Sequence, residues 1–156
     1  MNMMKPVITF LSCLIWIQLF ACCNKNNETI SSPHSVLNTD SMKLKITIGT
    51  NAFIATLYNN ATVTAFKTRL PLTINMKELN GNEKYFDLPD NLATNASNPG
   101  TIQTGDLMLY GSNTLVLFYK SFSTSYNYTR LARIDNPSEL AAALGSGNVT
   151  VRFELQ

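Results

Sequence analysis

Apolar and polar residues alternate along much of the chain after Met42. The stretch "KLKITIG" alternates leucine and isoleucine with lysine and threonine, which is the period of a half-buried strand. "TNAFIATLYNN" alternates again after a turn near Gly49, so the two stretches together predict a hairpin. "LTINMKELNGNEKYFDL" predicts a second hairpin, because its Asn80-Gly81 pair is a strong signal for a two-residue turn.

The second half of the chain predicts further strands. "GDLMLYGSNTLVLFYKS", Gly105 to Ser121, places two apolar runs around a glycine turn. After a loop in "SFSTSYNY", the stretches "TRLARI" and "NVTVRFEL" each predict one more strand. The polar residues from Asn91 to Gln103 predict a long surface loop.

Two short helices interrupt this alternation. "NNATVTAFKTRLP" has apolar residues at helical spacing as far as Leu70, with Asn60 as the N-cap and a proline at the end. "DNPSELAAALG" predicts a second helix with Asp135 or Asn136 as its cap and Gly145 as its stop. About eight strands, two helices and no strand-helix-strand rhythm predict a mainly β protein, a closed antiparallel barrel capped by the two helices.

Residues 1–21 have the features of a secretory signal peptide. Lys5 precedes "VITFLSCLIWIQLFA", an uncharged apolar run that is short for a membrane span and ends directly before Cys22. This order resembles a bacterial lipobox, which implies cleavage before Cys22, a lipid on its sulfur and a protein anchored in the bacterial cell envelope, outside the cytoplasm. Cys23 fits the pattern less well. The alternative is an uncleaved anchor with two cysteines at its end by chance.

The rest of the chain divides into a tether and one domain. Residues 22–42 are rich in Asn and Ser without a sustained period, so they predict a lipidated cysteine followed by a flexible tether. Residues 43–156 are long enough for one hydrophobic core. The remaining cysteine, Cys13, lies in the signal, and the single histidine, His34, lies in the tether. The domain therefore has no disulfide framework and no histidine-based catalytic triad.

Charge narrows the function classes further. The net charge is +2, from 12 basic and 10 acidic residues, and the basic residues are scattered, which argues against nucleic acid as a partner. The acidic residues of the domain fall singly, without the spacing of a metal site. There is no glycine-rich phosphate loop. The sequence therefore predicts neither a metal nor a cofactor.

The aromatic residues are the remaining candidates for a site. Along "LVLFY", alternation sends Tyr119 to one face of its strand and Phe118 to the other, so in a barrel one of the two faces a groove or a capping helix. Tyrosine suits a groove, because its ring supplies apolar area and its hydroxyl needs a polar partner. Arg130 lies beside Tyr126 and Tyr128 in "YNYTR". The alternative is that these rings only complete a small core.

Three stretches carry a family resemblance. "TAFKTRLPLTINM", "GDLMLYGSNTLVLFYKS" and "YTRLARIDNPSELAAAL" are similar, in this order, to the first helix, central hairpin and second helix region of small bacterial cyclophilin-like domains. The match runs from about Lys43 to the end of the chain and implies an eight-stranded barrel with a helix over each end. True cyclophilins isomerise X-Pro bonds in an aromatic and apolar groove, where an arginine polarises the amide.

The resemblance carries over to particular residues. "LFYKS" is similar to the cyclophilin "QFFI" strand, which puts Tyr119 at the groove phenylalanine, and "YTRLARI" is similar to "HVVFGKV", which puts Tyr128 at the groove histidine. Tyr110 and Gly111 fall where cyclophilins have groove residues after "LSMA". The "FHR" segment that supplies the catalytic arginine has no counterpart.

We therefore expect a lipid-anchored, extracytoplasmic domain that binds a peptide or small ligand without catalysis. The predicted groove residues are Tyr110, Gly111, Tyr119, Tyr128 and Arg130. Two alternatives remain, a weak prolyl isomerase and a purely structural interaction module.

Overall fold

The computed structural model describes residues 42–156, which form ten strands and two helices. In chain order these are β1 (Lys43–Ile48), β2 (Asn51–Leu57), α1 (Ala61–Lys67), β3 (Leu72–Leu79), β4 (Glu83–Asp87), β5 (Thr101–Ile102), β6 (Asp106–Tyr110), β7 (Thr114–Phe118), β8 (Phe122–Ser123), β9 (Tyr128–Ile134), α2 (Leu140–Leu144) and β10 (Val149–Leu155). The predicted signal peptide, Cys22 and nearly all of the predicted tether lie outside this part of the chain.

Eight of the strands close into an antiparallel barrel. Their order around the barrel is β1-β10-β3-β4-β7-β6-β9-β2, and β2 returns to pair with β1. The predicted mainly β fold, a closed eight-stranded antiparallel barrel with two short helices, is confirmed. The predicted hairpin turn at Asn80-Gly81 joins β3 to β4, with φ of 56° and 67° at these two residues. It is one residue longer than a two-residue turn, because Leu79 pairs with Glu83 and Asn82 completes the connection.

The first helix begins as predicted and ends earlier. Asn60 is its N-cap, and the Asn60 side-chain oxygen accepts a hydrogen bond of 2.9 Å from the backbone N–H of Val63. The helix ends at Lys67, so Leu70 lies beyond it, directly before Pro71. A residue directly before proline disfavours the helical conformation, so the helix is about one turn shorter than the apolar spacing predicted.

The second helix is shorter than predicted, and neither Asp135 nor Asn136 is its N-cap. The Asn136 side-chain oxygen accepts a hydrogen bond of 3.3 Å from the backbone N–H of Ser138, in the turn before the helix. The helix covers Leu140–Leu144 and starts after Glu139, which makes no side-chain capping bond. Asp135 instead accepts hydrogen bonds from Thr56 (2.7 Å) and Lys43 (2.9 Å), which lie on neighbouring strands. These contacts come from residues distant in sequence, so no local pattern indicated them. Gly145 does end the helix, with φ of 60°.

The two predicted loops contain a small second sheet. Thr101–Ile102, within the predicted Asn91–Gln103 loop, forms β5 and pairs with Phe122–Ser123, which is β8. Ser97 also forms an isolated bridge with Tyr128, the first residue of β9. Both segments therefore lie against the barrel wall.

Hydrophobic residues form two separate clusters, one inside the barrel and one outside. The inner cluster includes Leu115, Leu117 and Tyr119 of the β7 region, and both helices contribute side chains to it. The outer cluster consists of Ile102, Met108, Val116, Phe118 and Tyr128, with Tyr85 and Phe122 packed against it. The barrel closes and fills its interior with side chains from residues 44–153, so this part of the chain contains a complete core.

Neither of the two helices in residues 42–156 has the length and apolar character that a membrane crossing requires.

Candidate functional site

An open cavity of about 540 Å³ lies on the outer face of the barrel, over the outer cluster. Its walls are outward-facing side chains of β4, β6 and β7 together with the segment from Phe122 to Tyr128. The volume is within the range of about 300–1,000 Å³ that is typical of small-molecule sites. The cavity is therefore the candidate binding site.

Strand register explains which side chains reach the cavity. On β4, Glu83, Tyr85 and Asp87 follow one another at two-residue spacing, so all three leave the same face of the strand. Their partners on β7 are Phe118, Val116 and Thr114, respectively. Tyr110 pairs with Thr114 on one side and with Tyr128 on the other, which brings β6 and β9 into the same wall.

Five aromatic rings form a continuous chain under and beside the cavity. Ring centroids are 5.7 Å apart for Phe122 and Phe118, and 5.5 Å for Phe118 and Tyr128. They are 5.5 Å apart for Tyr128 and Tyr110, and 6.0 Å for Tyr110 and Tyr126. These distances and mostly edge-on angles are favourable for aromatic pairs. The rings therefore pack against one another from Phe122 to Tyr126.

The chain of rings has a buried floor and an exposed rim. Phe118 is fully buried and Tyr128 is 7% exposed, so both belong to the packed wall. Tyr110 is 45% exposed and Tyr126 is 62% exposed. Large aromatic rings with this much exposure in an open cavity are available for contact with a ligand.

Glu83 places a partly buried carboxyl group in the same cavity. It makes no hydrogen bond or ion pair with any residue between 42 and 156. Burial raises the pKa of Glu83, and the nearby charge of Glu78 raises it further. Because this folded-state pKa lies above the unfolded value, stability falls as the pH rises between the two values, so the ionised carboxylate destabilises the fold at neutral pH.

The remaining polar groups of the cavity are neutral or acidic. Asp87 accepts a hydrogen bond of 2.7 Å from the Thr114 hydroxyl. Asn82 also lines the cavity, and its buried side-chain oxygen accepts no hydrogen bond from the described residues. No lysine or arginine is among the described lining residues; the ammonium group of Lys77 lies 5.9 Å from the centre of the Tyr85 ring. The cavity is aromatic and acidic.

Tyr119 is not part of this wall. It lies in the inner cluster, 8% exposed, and its hydroxyl donates a 2.8 Å hydrogen bond to Glu78. Burial and this hydrogen bond raise the pKa of Tyr119 to about 12. Phe118, one residue earlier, points outward and contacts Tyr128. Tyr119 and Phe118 therefore lie on opposite faces of the strand, and only Phe118 packs beneath this cavity.

Glu78 also binds Lys84, a fully buried lysine of β4. The Lys84 ammonium group donates hydrogen bonds to the Glu78 carboxylate, to the carbonyl of Gly145 at 2.8 Å and to the carbonyl of Gly147 at 2.6 Å. Burial alone would raise the pKa of Glu78, but hydrogen bonds from Lys84 and Tyr119 and the charge of Lys84 lower it overall. This network attaches the segment after α2 to the barrel.

The structure brings Tyr110 and Tyr128 together, while Arg130 and Gly111 lie elsewhere. The Arg130 guanidinium lies 5.9 Å from the centre of the Tyr58 ring and does not line the cavity. Gly111 is in the turn between β6 and β7, with φ of 58°. A Cβ at Gly111 would have no neighbour within 4 Å, so nothing packs closely against this position. A glycine is favoured here because the turn requires a positive φ.

Sequence reasoning missed the acidic side of the cavity. The available signal was the alternation in "EKYFD", which places Glu83, Tyr85 and Asp87 on one face directly after the Asn80-Gly81 turn.

Within residues 42–156, no group of three or more histidine, cysteine or acidic residues is close enough to hold a metal ion.

The closed eight-stranded antiparallel barrel and its two short helices fit a cyclophilin-like fold. The model described as "Cyclophilin-like family" matches residues 46–154, and the chain belongs to this family. It is similar to the solution structure of a hypothetical protein from Archaeoglobus fulgidus, with a TM-score of 0.51 and 19% identity over 74% of this chain and 95% of that one. This similarity shows the fold alone. No curated protein matches the sequence significantly.

Proposed function

We propose that this protein is a lipid-anchored, extracytoplasmic cyclophilin-like domain that binds a peptide segment or a small ligand in its aromatic cavity, without catalysis. The observation that carries the proposal is the open cavity with two exposed tyrosine rings, Tyr110 and Tyr126, over a rigid aromatic floor. Exposed rings held by packed neighbours bind a ligand at low cost in side-chain entropy.

The positions of the arginines favour binding over prolyl isomerisation. Arg130 lies over Tyr58, Arg133 lies 3.9 Å from Asp106, and Arg152 binds Glu154. Arg69 donates hydrogen bonds to the carbonyl groups of Asp90 and Asn91. None of these four arginines lines the cavity, so the described chain provides no guanidinium there to polarise a prolyl amide.

Replacing Tyr110 with alanine is expected to weaken ligand binding at least fivefold, since one aromatic contact contributes about 1 kcal/mol. The measurement is an NMR titration of residues 42–156 with a fragment library that contains acids, neutral amides, amines and short X-Pro peptides. At least one compound should shift the amide signals of Tyr110, Thr124 and Tyr126.

The matched control is Tyr58→Ala, which removes a partly buried tyrosine that lies outside this cavity. It should leave the affinity unchanged. If no compound shifts the three amide signals, or if Tyr110→Ala leaves every affinity intact, the proposed binding role is wrong. The X-Pro peptides should isomerise at the uncatalysed rate, and a faster rate would support the alternative of a weak isomerase.

Replacing Cys22 with alanine is expected to abolish membrane retention of the mature protein. The proposed anchor consists of acyl chains on the Cys22 sulfur, and each buried methylene contributes about 0.8 kcal/mol to membrane binding. The measurement is fractionation of bacterial cells that express the full chain, combined with mass spectrometry of the N-terminus. Cys23→Ala is the matched control and should stay lipidated. Normal processing and retention of the Cys22→Ala protein would contradict the anchor.

A further inference from the structure

We propose that the ligand of this cavity carries a primary ammonium group on an apolar body, with the ammonium bound at Glu83 and the body against the tyrosine rings. The proposal rests on the binding role proposed above and specifies its chemistry. It is carried by three properties of the cavity wall: its charge, its unpaired hydrogen-bond acceptors and its aromatic faces.

The charge of the wall selects a cation. Glu83 and Asp87 line the cavity, and no lysine or arginine of the described chain does so. Behind the wall, Glu78 forms an ion pair with Lys84, so this lysine already has an anionic partner. An anionic ligand would be repelled by the two carboxylates, and Lys77, which lies over the Tyr85 ring, is not itself a lining residue. A cationic ligand would neutralise the carboxylates.

The hydrogen-bonding state of the wall selects a donor. Asp87 already accepts a bond from Thr114, but the Glu83 carboxylate accepts none from residues 42–156. A partly buried carboxylate without a donor is costly, and an ammonium group supplies three donors and the opposite charge.

The aromatic faces accommodate the rest of such a ligand. Tyr85 lies between Glu83 and Asp87 on β4, and the rings of Tyr110 and Tyr126 border the opening. Tyrosine rings attract cations by their faces and bury apolar groups well. Lys77 already shows this preference, since its ammonium group lies over the Tyr85 ring at 5.9 Å.

The position of Glu83 is also unfavourable for the unbound fold. Its ionised form destabilises the folded state at neutral pH, because burial and the Glu78 charge oppose ionisation. A glutamine of the same shape would avoid this cost. In the wild-type protein, a bound ammonium group would offset the cost of ionising Glu83. The Glu83 carboxylate would therefore gain a stabilising partner when the ligand binds.

The test compares three probes that share a phenyl ring and differ in charge: phenethylammonium, 2-phenylethanol and 3-phenylpropanoate. NMR titrations of residues 42–156 should show that phenethylammonium binds at least tenfold more tightly than the other two. Glu83→Gln should weaken it by about tenfold or more, because a charge-assisted hydrogen bond is lost. Nα-acetyl-lysine N-methylamide is the fourth probe; the tighter of the two amines shows whether a free amine or a lysine side chain is the preferred source.

The matched control is Glu154→Gln, which removes an equal charge from β10, outside the cavity, and should leave the affinity unchanged. Glu83→Gln should unfold at the same temperature as the wild-type protein or a higher one, which separates lost binding from lost folding. Equal affinity for the three phenyl probes, or full binding by Glu83→Gln, would overturn the ammonium proposal while the cavity remained a binding site. If no fragment of any charge bound, both proposals would be wrong.

Discussion

Replacing Phe118 with alanine is expected to lower the free energy of unfolding by about 3–5 kcal/mol, the usual range for removing a fully buried phenylalanine. Phe118 is buried in the outer cluster, between the rings of Phe122 and Tyr128. Its removal leaves a space that the β7 backbone cannot fill, because β7 is paired with β4 and β6 on both sides. Denaturant unfolding of residues 42–156, followed by circular dichroism, measures the loss.

The same substitution tests which face of β7 supports the cavity. Phe118→Ala should also broaden or displace the NMR signals of Tyr110 and Tyr126, since their rings rest on the chain of rings that includes Phe118. The control is Tyr126→Ala. This exposed ring at the other end of the chain should change the free energy of unfolding by less than about 1 kcal/mol. A loss below about 1 kcal/mol for Phe118→Ala would mean that the outer cluster is not packed as described.

Replacing Lys84 with methionine is expected to cost about 3 kcal/mol, even though methionine is apolar and similar in length. The change leaves the Glu78 carboxylate without its cation and removes the donor to the carbonyl groups of Gly145 and Gly147. Removing one partner of a buried ion pair typically costs about 3–5 kcal/mol, and the 22% exposure of Glu78 places the value at the lower end. Thermal or denaturant unfolding at pH 7 measures it.

The pH dependence identifies the cause of this loss. In the wild-type protein the pKa of Glu78 is lowered, so its stabilising contribution is present above the unfolded pKa and disappears as the pH falls through the folded value. Without Lys84, protonation of Glu78 relieves an uncompensated charge, so the difference between variant and wild type should shrink from pH 7 to pH 4. The double variant Lys84→Met/Glu78→Gln should recover part of the stability. An equal loss at both pH values would assign the effect to packing.

The architecture of the barrel was predictable from local patterns. The alternation in β1 to β4 and the Asn80-Gly81 turn each depend on residues close in sequence, so periodicity and turn chemistry suffice to locate them. Asn60 was predictable as a cap for the same reason. Asp135 was not, because its partners Thr56 and Lys43 are 79 and 92 residues away in the chain. Contacts of this range leave no local signature.

The candidate site was predictable only in part. Alternation established that Phe118 and Tyr119 lie on opposite faces, but both are apolar and both are buried, one inside the barrel and one under the outer cavity. Hydrophobicity alone therefore could not indicate which of them faces outward. The burial of Lys84 was also not predictable from alternation, because a lysine in an alternating strand normally indicates the solvent-facing side. Its burial depends on Glu78 and on the carbonyl groups after α2.

Closure of the barrel also limits how an extended peptide could bind. Every barrel strand has a hydrogen-bonded neighbour on both sides, so no strand of the barrel offers a fully unpaired edge to an extended peptide. Among the strands of residues 42–156, β5 and β8 have a neighbour on one side only, and with two residues each they are too short to align a peptide in register. For the proposed ligand, selectivity would therefore come from side-chain chemistry rather than from backbone pairing. A protein that binds in this way would tolerate many main-chain conformations in its partner and would discriminate by the chemical group that the partner presents.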